Sequence, residues 1–303
     1  MRRVDSSAIT ALAPVFALLP VWLISVAIFW IPFRIFGGVS FALFTISLFL
    51  LGVVLFSRPI QRLFFARLLG ARPPTHAELN QLDQAWSRVA QANHFPPSRF
   101  VLAVAEGDDI NAFACGGHLL VVSSYAINNL NTDELTGILA HELSHHLGGH
   151  TVALTIAQWM SLPVISLARV GFSLQRVAQA ATNMFDDRFP NRFVRLFGRV
   201  VASLLSGVAW IFQAGLLFAQ SWGNVVGRSA EYQADARAVE MGFGRELLSA
   251  LKRVVASGHS DAFRGWSAVA LASHPPARIR IARLEAMLRR ENSSAGSRRR
   301  RPR

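Results

Sequence analysis

His141-Glu142-Leu143-Ser144-His145 is the stretch on which the reading of this chain turns. A helix sets residues four apart on one face, so the two imidazoles stand together and can grip a zinc ion. The glutamate beside the first histidine projects from the same helix and can take a proton from water held by the metal. That is the general-base task in metal-assisted hydrolysis of an amide bond. Five residues fixed at only three positions also occur by chance on surface helices, so the setting matters. Asn131-Thr132-Asp133-Glu134 reads as a helix cap with acidic residues in the first turn, and Leu135, Ile138, Leu139 and Leu143 follow as an apolar run. The motif is therefore expected inside a helix.

A catalytic zinc takes three protein ligands and keeps one position open. If the pattern continued with a glycine three residues on and a histidine three beyond that, Gly148 would fit, but the next position is Thr151. His146 and His150 point away from the His141/His145 face and are set aside as ligands. Glu231 and Asp235 lie four apart in the expected helix around Ser229–Ala236. One carboxylate can bind metal while the other fixes the tautomer of a histidine. By spacing alone, a solvated pair beside Arg228 and Arg237 is the simpler reading.

The motifs together resemble a family. HExxH, the distant ExxxD, Asn111-Ala112-Phe113-Ala114 upstream, and Ser273-His274-Pro275-Pro276 with Arg280-Ile281 downstream occur in the order found in the HtpX and CAAX-prenyl-protease family of gluzincin metallopeptidases. The likeness covers roughly Asp109 to Leu284. It implies that His141, His145 and Glu231 are the ligands of one zinc ion, that Glu142 is the base, and that Asp235 orients a histidine. It also implies that Asn111, Ala112 and Phe113 border the substrate cleft. In the family this segment leads into an edge strand, and Leu119-Leu120-Val121-Val122 is expected to offer that edge to an extended peptide. His274 and Arg280 are expected to hold the active site or the developing oxyanion, with the choice between them open. Cys115 stands where the family favours a small residue.

Composition places the chemistry at a membrane. The chain has 303 residues, one cysteine and a formal net charge of +13, and its mean hydropathy is above zero. An internal disulfide is excluded. Ser6–Phe33 and Ile35–Ser57 carry no charge and are separated only by Arg34. Each exceeds the roughly 20 residues needed to cross a bilayer, so a transmembrane hairpin is expected. The first run is too long for a cleaved signal peptide and is read as retained. Arg2 and Arg3 before the hairpin, and Arg58, Arg62, Arg67 and Arg72 after it, keep both flanks cytoplasmic by the positive-inside tendency. A second uncharged pair, 151–168 and 200–227, is expected to span as well. Its arginine-rich connector, from Arg169 to Arg199, runs against that tendency.

Between the hairpin and the first motif, 58–72 alternates arginines with apolar residues and is expected to lie at an anionic lipid surface. Thr75–Asn93 should be a helix opened by a capping box, and Phe100–Ala105 a strand. The basic excess belongs with lipid headgroups, and nucleic acid is not expected as a partner. The Ser/Gly/Arg-rich end from Glu291 has the composition of a disordered tail.

The expected fold is thus mainly α, with an α+β zincin-type catalytic domain carrying a small sheet. The organisation is a hairpin at 1–57, a helical and strand region at 58–150, the second apolar pair at 151–227, the rest of the catalytic domain at 228–290, and a tail at 291–303. The expected function is a multi-pass zinc endopeptidase of a bacterial-type inner membrane. Its catalytic domain would face the cytoplasm and cut membrane or misfolded proteins. A dedicated processing protease for one precursor or lipid-modified peptide, or a non-catalytic scaffold, are the alternatives. Oligomeric state is not legible.

Overall fold

The computed structural model describes residues 12–54, 56–61, 70–188, 192–257 and 276–299. His274 and most of the expected interfacial helix at 58–72 lie outside them. Two compact units emerge. One comprises Met1–Ala11, Val53–Thr155 and Val225–Arg303, and the other Leu12–Gly52 and Ile156–Asn224.

The first unit is built around a four-stranded sheet of β1 (Ala71–Arg72), β2 (Val101–Ala105), β3 (Ala112–Cys115) and β4 (Leu119–Ser123), ordered β1-β2-β4-β3. β2 and β4 run parallel, in register from Val101 opposite Leu119 to Ala105 opposite Ser123, while β1 and β3 are antiparallel to their neighbours. The run Leu119–Val122 is therefore not an edge, as expected from sequence, but an interior strand buried at every residue. Its unbroken apolarity follows from having both faces covered. Leu120 and Val122 join the main core, and Leu119 and Val121 a smaller cluster on the other face. Among the described residues, β3 ends the sheet on that side.

Helix α3 (His76–Ala92) opens with the expected capping box, Thr75 and Glu78 each satisfying the other's backbone N–H. Its stripe of Leu82, Ala85, Trp86 and Val89 is fully buried at the spacing of one helical face. The buried Trp86 indole donates to the Pro97 carbonyl at 3.0 Å. A short helix, α4 (Ser124–Asn129), leads to α5 (Thr132–Leu147), the helix of the HExxH motif. Asn131 and Glu134 form a second capping box there, an arrangement worth about 1 kcal/mol. Every residue of α5 from Glu134 to Ser144 is buried, so the motif sits in the core and not on a surface helix. Helix α8 (Gly244–Ala256) crosses α5 at Gly137, where a Cβ would overlap the Leu247 backbone. Helix α9 (Ala277–Arg299) closes the core with the fully buried Leu284. It remains helical past Glu291, where composition predicted disorder. Up to Glu291 it is held by strong helix formers and by the Glu285–Arg289 pair across one turn.

In the second unit, α1 (Ala13–Gly37) and α2 (Phe41–Val54) fold back on each other. The reversal lies not at Arg34, which belongs to the last turn of α1, but at Gly38, which takes a left-handed φ of 63°. The Trp30 indole fixes the turn by donating to the Val39 carbonyl at 2.8 Å and packing on Phe41. The second apolar pair forms α6 (His150–Arg188) and α7 (Arg192–Glu240). Both are longer than expected, because Arg169, Arg176 and Arg199 continue the helices instead of forming a loop. Arginine is a good helix former, and the sequence offers no proline between Pro163 and Pro190. Trp159 of α6 donates to the Leu48 carbonyl at 3.2 Å, and its indole occupies the space over Gly52.

Among the described residues, two helices are long and apolar enough to cross a bilayer, Val15–Gly37 and Thr151–Ala180. Helix α2 is apolar but has 14 residues, about 21 Å at the α-helical rise, against a hydrocarbon core of about 30 Å.

Candidate active site

The helical period of α5 brings His141 and His145 side by side, with their Nε2 atoms 3.3 Å apart. The end of α7 approaches with Glu231, whose Oε2 lies 3.4 Å from His141 Nε2 and whose Oε1 lies 3.1 Å from His145 Nε2. A tetrahedral ion with bonds of about 2.05 Å holds its ligand atoms about 3.3 Å apart, so the three donors already have the separations zinc requires. Their nature fits as well, since two imidazoles and one carboxylate are a catalytic zinc set. All three are buried.

Charge bears on the same point. Glu142, Glu231 and Asp235 are each at most 3% exposed, and Arg280 is 6% exposed. Three carboxyl groups thus share the interior with one guanidinium and two imidazoles, an acid-rich cluster that a divalent cation would offset. The effect is visible at His141. Burial drives its imidazole towards neutrality, as does Arg280, yet Asp235 and Glu231 outweigh both and raise it to about 9. The cluster calls for positive charge at that ring.

Asp235, one turn beyond Glu231, accepts from His141 Nδ1 at 3.0 Å. With Nδ1 so engaged, Nε2 of His141 is the ring nitrogen that lies beside His145 Nε2 and Glu231. Burial works against the Asp235 carboxylate, but His141 and Arg280 hold it at about 2. Arg280 reaches in from α9 and donates to both oxygens of Asp235, at 3.0 and 2.7 Å. Its Nη1 lies 3.5 Å from Glu231 Oε2. Its Nη2 lies 3.2 and 3.3 Å from Nδ1 and Nε2 of His141, so the guanidinium touches both carboxylates and the imidazole.

His146, beside the second histidine of the motif, turns away from the cluster. Its Nε2 meets the Leu119 carbonyl at 3.2 Å, its Nδ1 meets Thr151 Oγ1 at 3.1 Å, and its ring packs on Phe100. Burial pushes it down to about 3, so it is a neutral anchor between α5 and β4. Sequence reasoning had no signal for this, because the partner is a backbone carbonyl on a distant strand. Asn111 stands at the head of β3, its backbone paired with Ser123. Ala112 and Ala114 pack towards the main core and Phe113 towards the opposite face of the sheet. Cys115 is held protonated by burial, its thiol pushed up to about 11.

A family model described as Peptidase family M48 matches residues 76–288. Protease HtpX of Mannheimia succiniciproducens is 29% identical over 200 residues, covering 61% of this chain and 66% of that protein. The protease HtpX homolog of Desulfotalea psychrophila is 30% identical over 203 residues, covering 61% of this chain and 67% of that protein. The matches thus span about two thirds of those relatives' length. The crystal structure of S. mikatae Ste24p aligns with a TM-score of 0.48 at 20% identity, over 88% of this chain and 61% of that one. The M48 match takes in α5 with both histidines, the end of α7 with Glu231 and Asp235, and Arg280, which is to say every group of the buried cluster: the chain belongs to peptidase family M48, whose members are zinc-dependent.

Proposed function

We propose that this chain is an integral-membrane zinc endopeptidase that hydrolyses peptide bonds of membrane or misfolded proteins at the cytoplasmic face. The observation that carries the proposal is the buried triangle of His141, His145 and Glu231 with Glu142 beside it.

Zinc bound there supplies a Lewis acid and makes water acidic enough to lose a proton near neutral pH. Glu142 is the base that accepts that proton and returns it to the leaving amine. Asp235 holds the His141 ring with Nε2 inward, and Arg280 keeps Asp235 ionised. An extended substrate pairs along β3. Ser123 N–H donates to the Asn111 carbonyl at 2.8 Å, so Asn111 and then Phe113 and Cys115 turn their backbone groups towards β4. By the alternation of an antiparallel ladder, Ala112 and Ala114 turn theirs to the open edge. β3 packs against α5, which brings that edge to the metal helix.

Membrane association is supported by the two apolar helices of spanning length. The arginines flanking the first hairpin favour a cytoplasmic catalytic unit. The role in protein quality control rests on similarity to proteases named HtpX.

Purified full-length protein in detergent tests the reading. Wild type should hold one zinc and cleave casein, Glu142→Gln should keep the zinc and cleave nothing, and His145→Ala should lose both. Cleavage retained by Glu142→Gln would remove the assigned base. Comparing membrane proteomes of cells carrying active and Glu142→Gln protein would identify the substrates.

A further inference from the structure

Arg237 lies two residues past Asp235 on α7, and sequence alone puts it on a solvated face. In the fold it is half-buried, and its Nη1 donates to the Ser144 carbonyl at 3.1 Å. Ser144 is the residue before His145 and sits in the last turn of α5, where carbonyls run out of helical partners and carry the negative end of the helix dipole. That carbonyl also accepts the Gly148 N–H at 2.9 Å. The guanidinium lies over Gly148, so that a Cβ at this position would overlap Nη1. Gly148 has an ordinary right-handed φ, so its lack of a side chain is no backbone requirement; a Cβ here would have to displace the end of Arg237.

The contact joins the two helices that supply the metal ligands. α5 makes its main packing against α8 and α3. Polar links from α5 to α7 also run through the ligand cluster itself, at His141 with Asp235 and at both histidines with Glu231. The Arg237–Ser144 bond is a strut outside that cluster, one residue from His145 and less than two turns from Glu231.

We infer that Arg237 is a positioning residue of the metal centre: seated over Gly148 and bonded to the Ser144 carbonyl, it sets how closely Glu231 meets His145, and so sets metal affinity without touching the metal. This rests on the proposed zinc site. It assigns a function to Gly148 as well, as the recess that admits the guanidinium.

The test uses full-length protein in detergent, with zinc affinity measured by chelator competition and the geometry read from the visible spectrum of the cobalt-substituted form. Arg237→Ala should weaken zinc by about tenfold, at the lower end of the 10- to 100-fold losses seen when groups supporting metal ligands are removed. Gly148→Ala should do the same by expelling the guanidinium, and both should shift the cobalt spectrum. Because both act through one contact, the double variant should bind no more weakly than the weaker single. Arg237→Lys, which keeps a donor and the charge, should recover part of the loss. Unchanged zinc affinity and cobalt spectrum in Gly148→Ala, or losses that simply add in the double variant, would overturn the inference. Wild-type protein that binds no zinc would instead overturn the proposed active site.

Discussion

Asp235 receives the Arg280 guanidinium through two parallel hydrogen bonds, 3.0 Å from Nε and 2.7 Å from Nη2, with both side chains almost fully buried. Neither residue is among the three proposed metal donors, yet together they fix the tautomer of His141 and the electrostatics of the cluster. Removing one member strands the other's charge in the interior, at a cost of about 3–5 kcal/mol. Arg280→Ala should therefore lower the thermal midpoint sharply. Asp235→Ala should weaken zinc by about tenfold or more, because His141 loses the acceptor that aims it. Differential scanning calorimetry and chelator competition measure the two effects.

Gly137 marks the point where α5 and α8 approach through their backbones. A methyl group there meets the Leu247 nitrogen and the Glu246 carbonyl carbon, neither of which can rotate aside. Gly137→Ala should cost about 3 kcal/mol, the upper part of the range for overpacking. It should also reduce zinc binding, because His141 lies one turn further along the same helix. A thermal melt within a degree of wild type would show that the crossing is looser than described.

The edge-strand geometry makes opposite predictions for adjacent residues. Proline at 114 removes an N–H that faces the open edge, whereas proline at 113 removes one that bonds to β4. Ala114→Pro should therefore fold and bind zinc while losing at least about tenfold in casein cleavage, a typical consequence of misplacing substrate. Phe113→Pro should be destabilised outright. Equal melting temperatures for the two variants would refute the register of the substrate edge.

Acid stability should depend on Glu78. The Arg72 guanidinium, bonded to it at 2.8 Å, and the Thr75 backbone hold this carboxyl at about 2, against an ordinary value of 4.5. The folded value lies below the unfolded one, so the stabilisation is complete above about pH 4.5 and is lost as pH falls through about 2. Glu78→Gln should melt lower than wild type at pH 7. The gap should narrow steadily as the pH is taken from 5 down to 2.5, and a gap that widened would reverse the assigned sign.

Features that depend on short-range periodicity and chemistry are legible in the order of residues. The four-residue spacing of His141 and His145, the capping boxes at Thr75 and Asn131, the helix of Trp86 and the strand at 101–105 are local, because one helical turn or one extended run contains all the information they need. The proposed third ligand was within reach only because Glu231 and Asp235 repeat the same spacing and stand in a known order of motifs. The remaining features arise only when distant segments meet. Leu119–Val122 became an interior strand and β3 the edge, because pairing is settled by partners far apart in the chain. The reversal of the first hairpin moved to Gly38, where the backbone could turn left-handed. Arg280 acquired Asp235, His146 the Leu119 carbonyl, and Arg237 the end of the metal helix, contacts that no spacing encodes because each spans elements brought together only when the core closes. The proposed metal donors can be named from the order of residues, but how far apart they stand is set by the packing of α5, α7 and α9.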